Sequence, residues 1–171
     1  MDGMKRILII GTSGSGKSSL AAQVAQRLGL PFFASDHFYW EPGWKLVSLD
    51  EVHARLAEIV CREAWVLDGN FDNERELVWK SADCIVWLDY SFATILWRVA
   101  SRNLRWLVTR QVTWSGNRMT WSQAISGIRH AVKSYSLKRR LYPGWQAELS
   151  GVACHRFHNS REAQAWLQSL G

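Results

Sequence analysis

The run Gly11-Thr12-Ser13-Gly14-Ser15-Gly16-Lys17-Ser18 fits the pattern G-x-x-x-x-G-K-[ST] at every specified position. Its chemistry is phosphate binding. Glycines let consecutive backbone N–H groups turn inward as an anion nest, where side chains would block the approach or forbid the dihedrals. A helix opening near Gly16 adds its positive dipole end to the same spot. In such a loop Lys17 reaches the β- and γ-phosphates and the Ser18 hydroxyl ligates Mg²⁺. The expected nucleotide contacts are therefore Gly11, Ser13, Gly14, Ser15, Gly16, Lys17, Ser18 and Ser19, with ATP and Mg²⁺ as the ligands. The bland alternative is a glycine-rich turn with an incidental lysine. The flanking elements argue against it.

Lys5 to Ile10, before the loop, is a short β-branched apolar run that reads as a buried strand. Ser18 to Leu28, after it, spaces Leu20, Ala21, Val24, Ala25 and Leu28 as a helix does, with Gly29 as the stop. Further strands are expected at Pro31–Ala34, Ala64–Asp68, Asp83–Asp89 and Val152–Phe157. Helices are expected from the Ser48/Glu51 capping box to about Cys61, from Ser91 to about Arg105, from Trp121 to about Arg140, and over Ser160–Leu170. Pro143-Gly144 should stop the third of these, and Asp36–Leu46 should be an aromatic loop. Buried strands alternating with helices describe an α/β domain with a five-stranded parallel sheet and helices on both faces.

The 171 residues suit one domain, expected to span 1–171, and 47% apolar with 21% charged residues excludes a disordered or fibrous chain. Cys61, Cys84 and Cys154 are odd in number and widely spaced, without a disulfide or zinc pattern; Cys154 reads as a core thiol of the fifth strand. His37 adjoins Asp36 and either assists it or is a packing or surface residue, while His53, His130, His155 and His158 show no metal-ligand spacing. The apolar run Ile7–Ile10 is too short for a signal-peptide core, and nothing approaches the length of a membrane span. The expectation is a cytoplasmic protein with no membrane partner, monomeric or homodimeric.

The net charge of +6 is unevenly placed. From Tyr90 to Ala147 there are ten basic residues and no acidic one: Arg98, Arg102, Arg105, Arg110, Arg118, Arg129, Lys133, Lys138, Arg139 and Arg140. That segment must meet an anion, and nucleotide phosphates and nucleic acid both qualify. The chain has no N-K-x-D, no D-x-x-G after the third strand and no L-S-G-G-Q, which disfavours regulatory GTPases and transport motors. Small P-loop kinases remain.

Across nearly its whole length the sequence resembles the adenylate-kinase-like P-loop kinases, and within them the topology-modulation (FlaR-like) family. The likeness rests on the phosphate loop, Asp36-His37-Phe38-Tyr39-Trp40 with Pro42-Gly43-Trp44, Trp65-Val66-Leu67-Asp68-Gly69-Asn70, Trp87-Leu88-Asp89 and the Arg98/Arg102 pair. The resemblance implies a three-layer P-loop fold with a helical lid, here expected at 103–122, over the phosphates. It implies that Asp68 orients magnesium-bound water, the alternative being a cap of the Gly69 turn. It implies that Asp36 meets the acceptor, accepting its hydroxyl proton, rather than capping a turn. Arg98 and Arg102 share one helix face by spacing. The resemblance makes them a lid-side clamp on the triphosphate; otherwise they are solvated.

Residues 159–161 occupy the position that packs near the adenine in that group. After Asp68-Gly69, nucleoside monophosphate kinases carry an aromatic residue, Pro and Arg; here Asn70-Phe71-Asp72-Asn73-Glu74-Arg75 has no Pro and a late Arg. That disfavours a nucleoside monophosphate acceptor. The expected activity is transfer of the ATP γ-phosphate to a small-molecule or nucleoside/nucleotide acceptor, by Lys17, Asp36, Asp68, Arg98 and Arg102. Trp65, Trp87 and Trp166 read as core, Trp40 and Trp44 as acceptor loop, and Trp106, Trp114 and Trp121 as lid. The alternative is a nucleic-acid-associated ATPase or regulatory protein affecting DNA topology, using the basic segment as a phosphodiester-binding surface.

Overall fold

The computed structural model describes residues 4–43, 45–113 and 116–170, and of His37 and Trp40 only the backbone. The readings of Trp44 and Trp114, and of the His37 and Trp40 side chains, lie outside the described residues. Strands β1 (Arg6–Gly11), β2 (Phe32–Ala34), β5 (Trp65–Asp68), β6 (Cys84–Leu88) and β7 (Ala153–Phe157) form one parallel sheet in the order β2-β5-β1-β6-β7. Apart from Arg6 and Asp68 at their ends, the central strands carry no polar side chain because both faces are covered. Alternate side chains enter opposite cores: Ile7, Ile9, Val66, Cys84 and Val86 on one side, Leu8, Ile10, Trp65, Leu67, Ile85 and Trp87 on the other.

Helices α1 (Lys17–Leu28), α5 (Phe92–Thr109) and α7 (Ser160–Gln168) contribute to the first core, with Leu20, Val24, Ile95, Val99 and Trp166 turned inward. Helices α3 (Leu49–Val60) and α4 (Arg75–Val78) contribute Val52, Leu56, Ile59 and Val78 to the second. Helix α6 (Trp121–Ala147) serves both: Ala131 belongs to the first core and Tyr142 to the second. Ser48 caps α3 by accepting from Glu51 N, and Ser91 caps α5 by accepting from Thr94 N, as their sequence positions predict. Trp65, Trp87 and Trp166 are buried, and so is Trp79, which the pattern did not single out.

Four expectations change. Helix α6 passes through Pro143-Gly144 to Ala147. The proline forfeits one hydrogen bond, but the turn beyond it is held by an aromatic cluster in which Trp79 meets Tyr142 and Trp145 edge-on at 5.1 and 5.6 Å. Helix α5 extends one turn past Arg105, to Thr109, and ends where Arg110 turns left-handed at φ 49°. The aromatic loop is structured: α2 (Asp36–Tyr39) leads into a hairpin of β3 (Trp40–Glu41) and β4 (Lys45–Leu46). Cys154 is exposed, since β7 is an edge strand.

Of residues 103–122, the first seven finish α5, and the Asn103 side chain is buried, donating to Ala124 O at 3.0 Å. In the connection to α6, Val112 bridges Arg118, and Asn117 reaches the β3–β4 hairpin. Its amide donates to Glu41 O at 3.1 Å and accepts from Gly43 N at 2.8 Å.

Candidate active site

The carboxyl ends of β1, β2, β5 and β6 converge on one edge of the sheet, the edge where parallel α/β sheets bind ligands. The phosphate loop leaves β1 there. Gly16 precedes α1 with a left-handed backbone and no side-chain cap, so the opening amides of the helix have no capping side chain from that residue. Gly14, at φ +83°, lies so close to α5 that an added Cβ would stand 2.5 Å from Val99 Cγ2. The Ser15 hydroxyl is buried in the loop with no hydrogen-bond partner among the described residues.

Lys17 folds back over the loop, its ammonium 3.5 Å from Thr12 O. Burial pushes its pKa down, while the charges of Asp68 and Asp36 pull it up. A desolvated lysine beside a helix start that carries no side-chain cap is suited to an anion. Asp68, at the end of β5, is almost fully buried. One of its oxygens accepts from Ser35 N at 2.7 Å and the other from the Ser18 hydroxyl. A hydroxyl and a carboxylate side by side are hard oxygen donors of the kind Mg²⁺ selects. Beyond Gly69, Asn70 accepts from Gly11 N at 2.9 Å through Oδ1 and from Trp79 Nε1 at 2.8 Å through its carbonyl, tying the start of the loop to the second core.

Helix α5 supplies two arginines from above. Arg98 donates to Ser15 O at 3.1 Å and to Ser160 Oγ at 2.7 Å, with its guanidinium 5.1 Å from the Tyr90 ring centre. Arg102 donates to Ser13 Oγ at 3.3 Å and stacks 4.7 Å over Trp106. Burial lowers the Arg102 pKa, opposed by the charge of Asp36, which opens α2 beside the end of β2. The structure thus gathers Lys17, Ser18, Asp36, Asp68, Arg98 and Arg102 around one loop. Asn159 is the N-cap of α7, accepting from Glu162 N, and Ser160 anchors Arg98.

The spacing rules did not single out Asp72, Lys138 and Tyr142 as partners. Tyr142 donates to Asp72 Oδ1 at 2.7 Å. The Asp72 charge raises the pKa of Lys17 and of Lys138 alike. Lys138 is 5% exposed on α6, and burial brings its pKa down to about 7. Nearby, Tyr39 donates to the buried Glu74 at 3.1 Å.

The late Arg75 points elsewhere, pairing with Glu148 and Glu76 and stacking on Trp145. The basic segment is also divided. Arg98, Arg102 and Lys138 turn toward the site, and Arg139 joins Arg156 on buried Asp89 at 2.7 and 2.6 Å. Arg105, Arg110, Arg118, Arg129, Lys133 and Arg140 are exposed.

No protein-family model and no curated protein matches the chain. Solved structures do. The chain is similar to a shikimate kinase from Acinetobacter baumannii in complex with shikimate, at TM-score 0.63 and 18% identity over 99% of this chain and 92% of that one. It is similar to a shikimate kinase from Bacteroides thetaiotaomicron, at TM-score 0.60 and 16% identity over 98% and 97% of the two chains. A gluconokinase from Sinorhizobium meliloti 1021 follows at TM-score 0.54 and 21% identity, over 97% and 93%. The chain has the fold of these P-loop kinases. No helix among the described residues is long and apolar enough to cross a membrane.

Proposed function

We propose that this protein is an ATP- and Mg²⁺-dependent phosphotransferase acting on a small acceptor. The observation that carries the reading is the convergence of Lys17, the Ser18–Asp68 pair and the Arg98/Arg102 pair on one phosphate loop. Loop amides and Lys17 bind the β- and γ-phosphates; Ser18 and Asp68 would hold Mg²⁺, which would supply positive charge beside the transferring group. The acceptor hydroxyl oxygen forms a bond to Pγ while the bond from Pγ to the β,γ-bridging oxygen breaks, releasing ADP. Asp36 takes the hydroxyl proton, and Arg102, which its field already reaches, faces the charge spread over the γ-oxygens.

The connection from α5 to α6, within the lid expected at 103–122, is hydrogen-bonded to the β3–β4 hairpin through Asn117 and acts as the lid of this reading. Similarity in fold to kinases of small hydroxylated substrates supports a small-molecule acceptor over a nucleic acid. So does the diversion of four of the ten basic residues into the site or onto Asp89. The finer likeness to the topology-modulation family rests on the sequence motifs around Asp36 and Asp68. The protein acts as one domain in the cytoplasm, with a reduced thiol set.

The test is ADP release from Mg·ATP against a panel of nucleosides, nucleoside monophosphates, sugars and small hydroxy acids. An acceptor that stimulates release should leave Asp36→Asn able to bind Mg·ATP but slowed at least about 100-fold, the range of a lost general base. Loss of ATP binding in that variant would remove Asp36 from the acceptor side.

A further inference from the structure

Lys138 is a charged side chain in an apolar position. It shares the inward face of α6 with Ala131, Ser134 and Tyr142, and its ammonium carries neither hydrogen bond nor ion pair among the described residues. Its Nζ stands 5.7 Å from the centroid of the Tyr142 ring. Burying an ammonium without a counter-ion costs several kcal/mol, and such groups are paired, neutralised or occupied by a ligand. Asp72, the acid whose field reaches Lys138, is already hydrogen-bonded to Tyr142, and Lys17 adds a second positive charge to the same space. His130 on α6 also feels Lys138, Lys17 and Asp72.

Lys17 already faces Asp36 and Asp68, whereas Lys138 has no carboxylate within ion-pair distance among the described residues, so an anionic ligand would supply the counter-charge it lacks. Lys17 meets the donor phosphates from the loop, whereas Lys138 comes from α6, beside Tyr142 and within the field of Asp72. We infer that Lys138 is the anion-recognising residue of the acceptor site, and that the acceptor is a hydroxylated small molecule bearing a carboxylate or phosphate. The inference rests on the phosphotransferase reading: Asp36 receives the hydroxyl and Lys138 the anionic end. Asp72, held by Tyr142, fixes the ammonium by charge and is a positioning residue.

The experiment fills the donor site first. Protein saturated with Mg²⁺ and the non-hydrolysable analogue adenylyl imidodiphosphate is titrated calorimetrically with inorganic phosphate and, separately, with malonate. Measurements at pH 8 in two buffers of different ionisation enthalpy report proton exchange. Binding of either anion with uptake of roughly one proton is expected, since the anion restores the charge on a lysine that is mostly neutral at that pH.

Which anion binds distinguishes a phosphorylated from a carboxylated acceptor. Lys138→Met should weaken anion binding at least about tenfold, abolish the proton uptake and leave the affinity for the analogue unchanged, while Lys138→Arg retains anion binding. Undiminished anion binding in Lys138→Met, or binding of neither anion by the unmodified protein, would overturn the inference. So would a loss of analogue affinity in Lys138→Met, which would place Lys138 on the γ-phosphate. Failure of the analogue to bind the unmodified protein is a separate result that overturns the donor site itself, and the acceptor assignment with it.

Discussion

Replacing Lys138 by Met should stabilise the unliganded protein. The folded state holds this lysine at about 7 against an ordinary 10.5, because burial disfavours the ammonium. At about 1.4 kcal/mol per pH unit, that difference makes the buried charge cost up to about 5 kcal/mol. The sign follows from proton counting. Between pH 7 and 10.5 the unfolded chain binds more protons at this site than the folded one, so stability rises with pH through that window. The cost is complete below pH 7 and vanishes above 10.5.

Met matches the length of the lysine stem and carries no charge to desolvate. Part of the gain is returned because Asp72 loses a cation in its field. A net gain of about 2–4 kcal/mol at pH 6 corresponds to a rise in Tm of roughly 5–15 °C for a chain of this size. Scanning calorimetry on both proteins from pH 6 to 10 reads the effect directly. The difference should be largest at pH 6 and shrink toward pH 10. An equal or lower Tm for the Met variant at pH 6, or a difference independent of pH, would refute the reasoning.

Two further substitutions probe the frame of the site. Gly69→Ala places a Cβ 2.7 Å from Ser35 Cβ and from Phe71 Cε2 at φ +143°, and should cost about 2–4 kcal/mol in urea unfolding; a cost below about 1 kcal/mol would show that the turn can relax. Asn117→Ala removes the side-chain hydrogen bonds of Asn117 to Gly43 N and Glu41 O of the β3–β4 hairpin. Amide exchange at Gly43 should then quicken at least about fivefold, with global stability falling by no more than about 1–2 kcal/mol; unchanged exchange there would detach the α5–α6 connection from the hairpin.

The phosphate loop was legible because its chemistry is local: eight consecutive residues between a β-branched run and a helical pattern admit few other readings. The three central strands were legible for a similar reason, since strands buried on both faces cannot alternate polar and apolar residues. Elements decided by tertiary packing were not. Nothing near Pro143 announces that Trp79, more than sixty residues earlier, will hold the turn beyond it. The exposure of Cys154 depends on β7 lying at a sheet edge, a matter of strand order.

In the site, Asp36, Asp68, Arg98 and Arg102 came from motif position and resemblance, and the structure brings them to the loop. Lys138 was counted only as one basic residue among ten, while Asp72 stood only as part of a departure from a motif. A signal was present, because Ala131, Ser134, Lys138 and Tyr142 recur at helical spacing on one inward face, with a lysine where an apolar residue belongs. Its pairing with Asp72 and Tyr142 could not be read, since Asp72 is more than sixty residues away in the chain.

The most direct measurement is the shift in Tm of the protein and of Lys17→Ala on adding Mg·ATP. The account predicts stabilisation of the unmodified protein that rises with ATP concentration, requires Mg²⁺ for its full extent and is lost in Lys17→Ala. Equal stabilisation of the two proteins, or none in either, would contradict it.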